Sequence, residues 1–211
     1  MQRNRINHTL GFIALLHSVG VAGLSYGPTR SLFLQLTPLN LLLSATLLIQ
    51  ANKDYSARFF LAAVTIAASG FVLEAAGVAT EMIFGSYRYG SGLGLKWMEV
   101  PLLIGVNWFI LTFAGYAMTR RLPGPEWLRW VAGAAALVLL DWVMEPVAVA
   151  LDFWSWKGGV IPMQNYIAWG LAALTFQGIF SLFRTRVCSQ LGTGFYLIQL
   201  IFFILMRIFY R

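Results

Sequence analysis

The sequence predicts an all-α, polytopic transmembrane helical bundle of about seven spans, forming one integral-membrane domain over residues 1–211. Two observations predict it. Of the 211 residues, 59% are hydrophobic and only 11% charged, far below the roughly 25% charged residues of a soluble globular domain. The apolar residues also gather into runs close to the ~20 residues that cross a bilayer as a helix. Barrel strands would instead alternate polar and apolar residues over short segments.

Seven runs can be drawn: Thr9–Ser25, Leu32–Ala51, Phe59–Ile83, Trp97–Met118, Trp127–Leu151, Pro162–Phe183 and Gly194–Phe209. The first follows Arg3 and Arg5 like a signal peptide. No small-residue cleavage site with a soluble domain beyond it follows, so it reads as a membrane span. Breakers separate the runs: Gly27-Pro28, Asn52-Lys53-Asp54, Gly85 to Gly94, Pro123-Gly124-Pro125, Lys157-Gly158-Gly159, and Arg184 to Gly192.

The net charge of +7 comes from residues between the runs, which marks topology and lipid headgroups rather than nucleic acid. With seven spans, Arg3, Arg5, Lys53, Arg58, Arg120, Arg121, Arg129, Arg184 and Arg186 share one side. Arg30, Arg88, Lys96, Lys157, Arg207 and Arg211 share the other. Nine against six places the amino terminus in the cytoplasm, with the chain as a multi-pass cell-membrane protein. The third loop (Gly85–Lys96) and the fifth (Phe153–Ile161) then share the opposite face. Cys188 is the sole cysteine, so no disulfide framework is expected.

The acids are unevenly placed. Asp54 and Glu126 lie in polar loops. The other six, Glu74, Glu81, Glu99, Asp141, Glu145 and Asp152, lie in or at the ends of spans three, four and five. An unpaired carboxylate in hydrocarbon costs roughly 2.5–3.5 kcal/mol on insertion scales. Asp141, Glu145 and Asp152 are spaced by four and seven, and Glu74 and Glu81 by seven, so each set is expected on one helix face. These acids mark a site between spans three, four and five. Glu99 just precedes Pro101, where a helix start favours a carboxylate.

Aromatic and amide residues surround that site. Tyr87-Arg88-Tyr89 and Trp154-Ser155-Trp156 flank the acids, while Trp97, Trp127 and Trp130 fit an interfacial belt. Trp108, Trp142 and Trp169 lie inside spans. Asn107 and Asn165 need partners there, either orienting neighbours and water or joining helices, and Tyr166 follows Asn165. An echo links Glu81, Tyr87-x-Tyr89, Pro101 and Asn107-Trp108 to Glu145, Trp154-x-Trp156, Pro162, Asn165 and Trp169. It predicts two related hairpins around one cavity.

Acids in a greasy aromatic pocket suit protonation of an alkene. A buried carboxyl can stay protonated, and aromatic faces stabilise a desolvated cation by roughly 2 kcal/mol. The substrate would be an isoprenoid dissolved in the lipid bilayer. No cofactor and no metal are expected. His8 and His17 are the only histidines, both in or before span one. Lys53, Lys96 and Lys157 all lie in loops, which excludes a retinal Schiff base. Asp141-x-x-x-Glu145 lacks the second aspartate motif of a membrane prenyltransferase.

Several motifs in order carry a family resemblance. They are Glu81-x-x-x-Gly85-Ser86-Tyr87-Arg88-Tyr89, Val100-Pro101, Asn107-Trp108, Asp141-x-x-x-Glu145-Pro146, Trp154-x-Trp156 and Pro162-x-x-Asn165-Tyr166-x-x-Trp169. From about Glu74 to Trp169 the chain resembles the membrane carotenoid biosynthesis proteins that include carotenoid 1,2-hydratases. It departs from the family pattern at Glu99, where the family has Gly. The resemblance implies cofactor-independent addition of water to the terminal double bond of an acyclic carotenoid end, as in lycopene or γ-carotene. Within it, Asp141 or Glu145 would donate the proton, and Glu81 with Glu74 behind it would hold or deprotonate water. Tyr87, Tyr89, Trp154 and Trp156 would line the end-group pocket, with Trp108, Trp142, Asp152, Asn107, Tyr166 and Trp169 also binding substrate. Asn165 would orient water. A membrane lycopene cyclase and a non-enzymatic carotenoid or lipid carrier are the alternatives.

Overall fold

The computed structural model describes residues 2–210; Arg211, counted above for topology, lies outside them. Each of the seven apolar runs contains a helix. They are α1 (Gln2–Ser25), α2 (Gly27–Asn52), α3 (Ala57–Thr80), α4 (Leu103–Thr119), α5 (Glu126–Ala150), α6 (Met163–Leu182) and α7 (Ser189–Phe209). Five of them, α1, α2, α3, α5 and α7, are long and apolar enough to cross a membrane. α4 has 17 residues, a length of about 25 Å. It packs against α2, α3, α5, α6 and α7, and nearly all its residues are buried. That position explains its lack of a polar stripe, since a helix apolar all round is a buried helix.

The ends of the bundle are tied by polar contacts. At one end the Asn52 side-chain amide donates to Arg186 O (2.9 Å) and accepts from Cys188 N (2.9 Å). Asp54 Oδ2 accepts from Arg186 N (2.8 Å), and Arg5 donates to Ala51 O (3.0 Å). The α1 start, the α2–α3 connection and the α6–α7 connection therefore meet, as the span count requires. At the other end the Tyr210 hydroxyl donates to Leu24 O at 2.7 Å.

The α3–α4 and α5–α6 connections meet at that second end and join through backbone. Strand β1 (Tyr87–Tyr89) pairs antiparallel with β4 (Trp154–Trp156), in the register Tyr87↔Trp156, Arg88↔Ser155, Tyr89↔Trp154. Gly90 N continues the contact to Phe153 O (2.9 Å). A Cβ at Gly90 would lie 1.9 Å from the Asp152 carbonyl oxygen, so this position needs glycine.

α1, α2 and α7 start before their apolar runs, at Gln2, Gly27 and Ser189, so Gly27-Pro28 opens α2 instead of breaking the chain; the ends of spans three and four also differ from the sequence expectation. Span four does not begin at Trp97. Lys96–Trp97 (β2) and Val100–Pro101 (β3) form a hairpin, turning through Met98 and Glu99 at φ +52° and +63°, as a tight turn of this kind demands. Proline disfavours helix at the residue before it, so α4 starts only beyond Pro101. Trp97 is exposed and stacks on Phe71, with centroids 5.6 Å apart. Span three stops at Thr80, where Glu81 caps it in a left-handed conformation at φ +58°.

Asp54 supplies a test of the first end. Its carboxylate also accepts from Ser56 N at 3.1 Å. Burial pushes its pKa up, but hydrogen bonds from Ser56 and the Arg186 amide outweigh that and hold it below the usual carboxylate range. The contribution to stability is therefore present above the unfolded-state pKa and lost as pH falls through the folded-state value. Asp54→Ala should cost about 1–3 kcal/mol near neutral pH, measured as a lowered melting temperature in detergent. The gap to the parent protein should close in acid; an undiminished gap there would refute the assignment.

Candidate active site

Two buried carboxylates anchor the site, one in each helical hairpin. On α5, Glu145 is 1% exposed. Its Oε2 accepts from the indole N–H groups of Trp154 and Trp156, both at 2.9 Å. Its Oε1 accepts from Asn165 Nδ2 on α6 at 3.1 Å. The same amide nitrogen donates to Asp141 Oδ2 at 3.0 Å, one turn earlier on α5. Asp141 is fully buried, and its Oδ1 has no partner among the described residues.

On α3, Glu74 is 4% exposed. Its Oε2 accepts from the hydroxyls of Tyr87 (2.5 Å) and Tyr89 (2.8 Å). Its Oε1 accepts from Trp108 Nε1 of α4 at 3.0 Å. Burial, reinforced by the Glu74 charge, pushes both tyrosine hydroxyls above their usual range, so they stay protonated and remain donors. Alternate residues of a strand face the same way. That is why Tyr-x-Tyr and Trp-x-Trp can each turn two donors onto one carboxylate.

The internal echo is visible in these contacts, with one correction: Glu74, not Glu81, stands where Glu145 stands in the other half. The proline-to-tryptophan interval is seven in both halves, Pro101 to Trp108 and Pro162 to Trp169. Those two tryptophans lie against each other with centroids 4.2 Å apart. The halves are not equivalent. Four residues before Glu145 stands Asp141; four before Glu74 stands Gly70. A Cβ at Gly70 would lie 2.7 Å from the Trp108 side chain, so the indole occupies that space and completes the Glu74 donor set.

Asp141, Glu145, Glu74, Tyr87, Tyr89, Trp108, Trp154, Trp156, Asn165 and Trp169 thus gather as one cluster. Other expected members do not. Glu81 is exposed and off the helix face of Glu74, because α3 ends first. Asp152 is likewise off the Asp141–Glu145 face. α5 ends at Ala150, and Asp152 sits exposed at φ +55° beside Arg30, Gln35 and Ser91. Trp142 is 54% exposed on the outer surface beneath the Arg207 guanidinium. Tyr166 is half-buried and makes no hydrogen bond to the acids among the described residues.

Asn107 lines a cavity of about 330 Å³ between α1, α2, α4 and α7. The lining is mostly apolar and reaches Met144, Phe153 and Trp154, so the cavity adjoins the Glu145 centre. His17 of α1 and Gln199 of α7 also line it. His17 Nδ1 lies 2.8 Å from Ile13 O, so Nδ1 carries the proton and Nε2 accepts from Gln199 Nε2 at 3.1 Å. Among the described residues no three His, Cys, Asp or Glu side chains gather as a metal site.

Gly70→Ala should force the Trp108 indole off Glu74 and cost about 1–3 kcal/mol, seen as a lower melting temperature with altered tryptophan fluorescence. Normal stability and an unchanged spectrum would show that the indole has room to move.

Comparison with known proteins gives the family. Over 120 residues, the chain is 31% identical to a bisanhydrobacterioruberin hydratase of Haloarcula japonica. The match spans 53% of this chain and 41% of that protein. No solved structure matches. The family described as "Carotenoid biosynthesis protein" matches residues 36–210, which includes both carboxylate centres, and the chain belongs to that family.

Proposed function

We propose that the chain is a carotenoid hydratase, adding water to the terminal double bond of an acyclic carotenoid end group such as that of lycopene or γ-carotene, without a cofactor. The observation that carries this reading is the Asp141–Asn165–Glu145 arrangement beneath the Trp154–Trp156 pair, beside an apolar cavity. The chemistry balances with these residues. Protonated Asp141 gives its proton to one alkene carbon, and the π electrons become the new C–H bond. The positive charge settles on the tertiary carbon. Glu145, accepting from three N–H donors, supplies facing negative charge. Aromatic faces of the cluster stabilise the cation further. Water attacks the cation, forming the C–O bond, and its surplus proton returns to Asp141. The product is a tertiary alcohol, with nothing oxidised or reduced.

Glu74, with a full set of donors, serves in this reading as a fixed charge and anchor rather than a proton donor, and Glu81 takes no part. The carotenoid enters from the bilayer into the cavity that ends at Trp154. The protein lies multi-pass in the cell membrane with its amino terminus in the cytoplasm, from the nine-to-six basic-residue bias. A second reading, a cyclase, is favoured by the mostly apolar cavity lining. There the same cation is captured by the chain's own next double bond instead of water.

Expression in bacteria that accumulate lycopene, with pigments analysed by liquid chromatography and mass spectrometry, separates the readings. Hydration gives a product heavier by one water with unchanged conjugated absorption. Cyclisation gives unchanged mass with shifted retention. Unaltered pigment, with γ-carotene also untouched, would leave a carrier. Asp141→Asn should lower turnover by about 10²–10⁴-fold while the protein still accumulates in the membrane, and Glu81→Gln should leave turnover unchanged. Full activity of the Asp141 variant would remove it from the acid role.

A further inference from the structure

Hydration needs water at a site walled by aromatic side chains, and the buried polar atoms without partners trace where it is held. Gln177 on α6 is fully buried, and neither its Nε2 nor its Oε1 has a partner among the described residues. The same is true of Thr112 Oγ1 on α4 and of Asp141 Oδ1 on α5. Buried polar groups without protein partners are the usual hosts of internal water.

Helix register puts these atoms in order along the bundle. Asn165, which holds Asp141, lies one turn before Trp169 on α6, and Trp169 stacks on Trp108 of α4. Thr112 lies one turn beyond Trp108. Gln177 lies two turns beyond Trp169, and Ser181 one turn further. Ser181 Oγ donates to Glu126 Oε1 at 2.9 Å, at the end where Arg129 pairs with Glu126. One turn advances about 5.4 Å along the axis, so helix register sets these polar groups about a turn apart along the bundle. Two glycines at the middle of this line let the Gln177 amide itself lie between α4 and α5. A Cβ at Gly133 of α5 would lie 2.9 Å from the Gln177 amide, and one at Gly115 of α4 would lie 2.8 Å from it.

We infer that Gln177 and Thr112 hold a file of internal water that runs from the Glu126–Ser181 end of the bundle, past the Trp108–Trp169 stack, to Asp141. Its ligand is water and nothing larger. Gln177 can donate to one water and accept from the next, which keeps the file continuous. Gln177 and Thr112 are positioning residues and touch no substrate. The supply role rests on the hydratase reading, whereas the occupancy by water does not.

The test has two arms on the full-length protein. In lipid nanodiscs, with glutamine side-chain nitrogens isotopically labelled, magnetic resonance should show transfer between water protons and the Gln177 amide, with the signal assigned by its loss in Gln177→Leu. A Gln177 amide with no water transfer overturns the file, and this arm uses the parent protein even if a variant fails to fold. In the pigment assay, Gln177→Leu and Thr112→Val should lower the water adduct about tenfold. They should raise products of unchanged mass, formed when the unquenched cation loses a proton or closes a ring, with KM for the carotenoid unchanged. Gln177→Asn should restore part of the adduct. An unchanged product ratio in the leucine variant overturns the supply role. A parent protein that forms no water adduct defeats the hydratase reading, while the resonance arm still judges the water file.

Discussion

A carboxylate within the apolar bundle must find donors, and much of this structure answers that demand. Glu74 and Glu145 each collect three N–H or O–H donors. Two of each three come from a short strand outside the helices. The connections after α3 and α5 therefore cannot be free loops. They fold back over the bundle, bring their aromatic side chains down onto the acids, and meet each other as β1 and β4. The arrangement of the whole second end follows from the expense of burying two carboxyl groups without partners.

The two halves solve the same problem and then diverge. Trp108 and Trp169 sit at matching positions, yet only Trp108 donates to its carboxylate. In the other half the equivalent role falls to Asn165, which divides its amide between Glu145 and a second acid. Gly70 and Asp141 are the counterparts that set this difference. One half is closed by an indole, and the other keeps a carboxyl oxygen without a protein partner. The hydratase reading places the proton transfer in the second, because a fully satisfied carboxylate has less reason to exchange a proton.

Much of this was legible from residues alone. Seven helices, the shared face of the third and fifth connections, and the gathering of Glu74, Asp141 and Glu145 all followed from apolar run length and the penalty on membrane charge. The misplaced residues share a physical cause. Glu81 and Asp152 were set on helix faces by seven-residue spacing, but both stand just past a helix end in left-handed conformations. Periodicity carries no information beyond the last helical turn. Trp142 was counted inward because tryptophan inside a span is apolar on any face, and only packing decides which. His17 and Gln177 were passed over because a single polar residue in a helix reads as isolated until the fold supplies its neighbours.

The pairing of β1 with β4 has a mechanical consequence. Tyr87–Tyr89 and Trp154–Trp156 are bound to one another by backbone, and each is bound to its own acid by side chains. The two hairpins therefore cannot slide apart without breaking the ladder or, if the ladder holds, pulling a strand off its own acid. The dipoles around the acids are locked in place when the protein folds, not rearranged each time a substrate arrives. On the hydratase reading, an environment already oriented toward a developing cation avoids the reorganisation that liquid water would undergo around the same cation. A rigid clasp above the bundle is thus a source of electrostatic preorganisation at its centre.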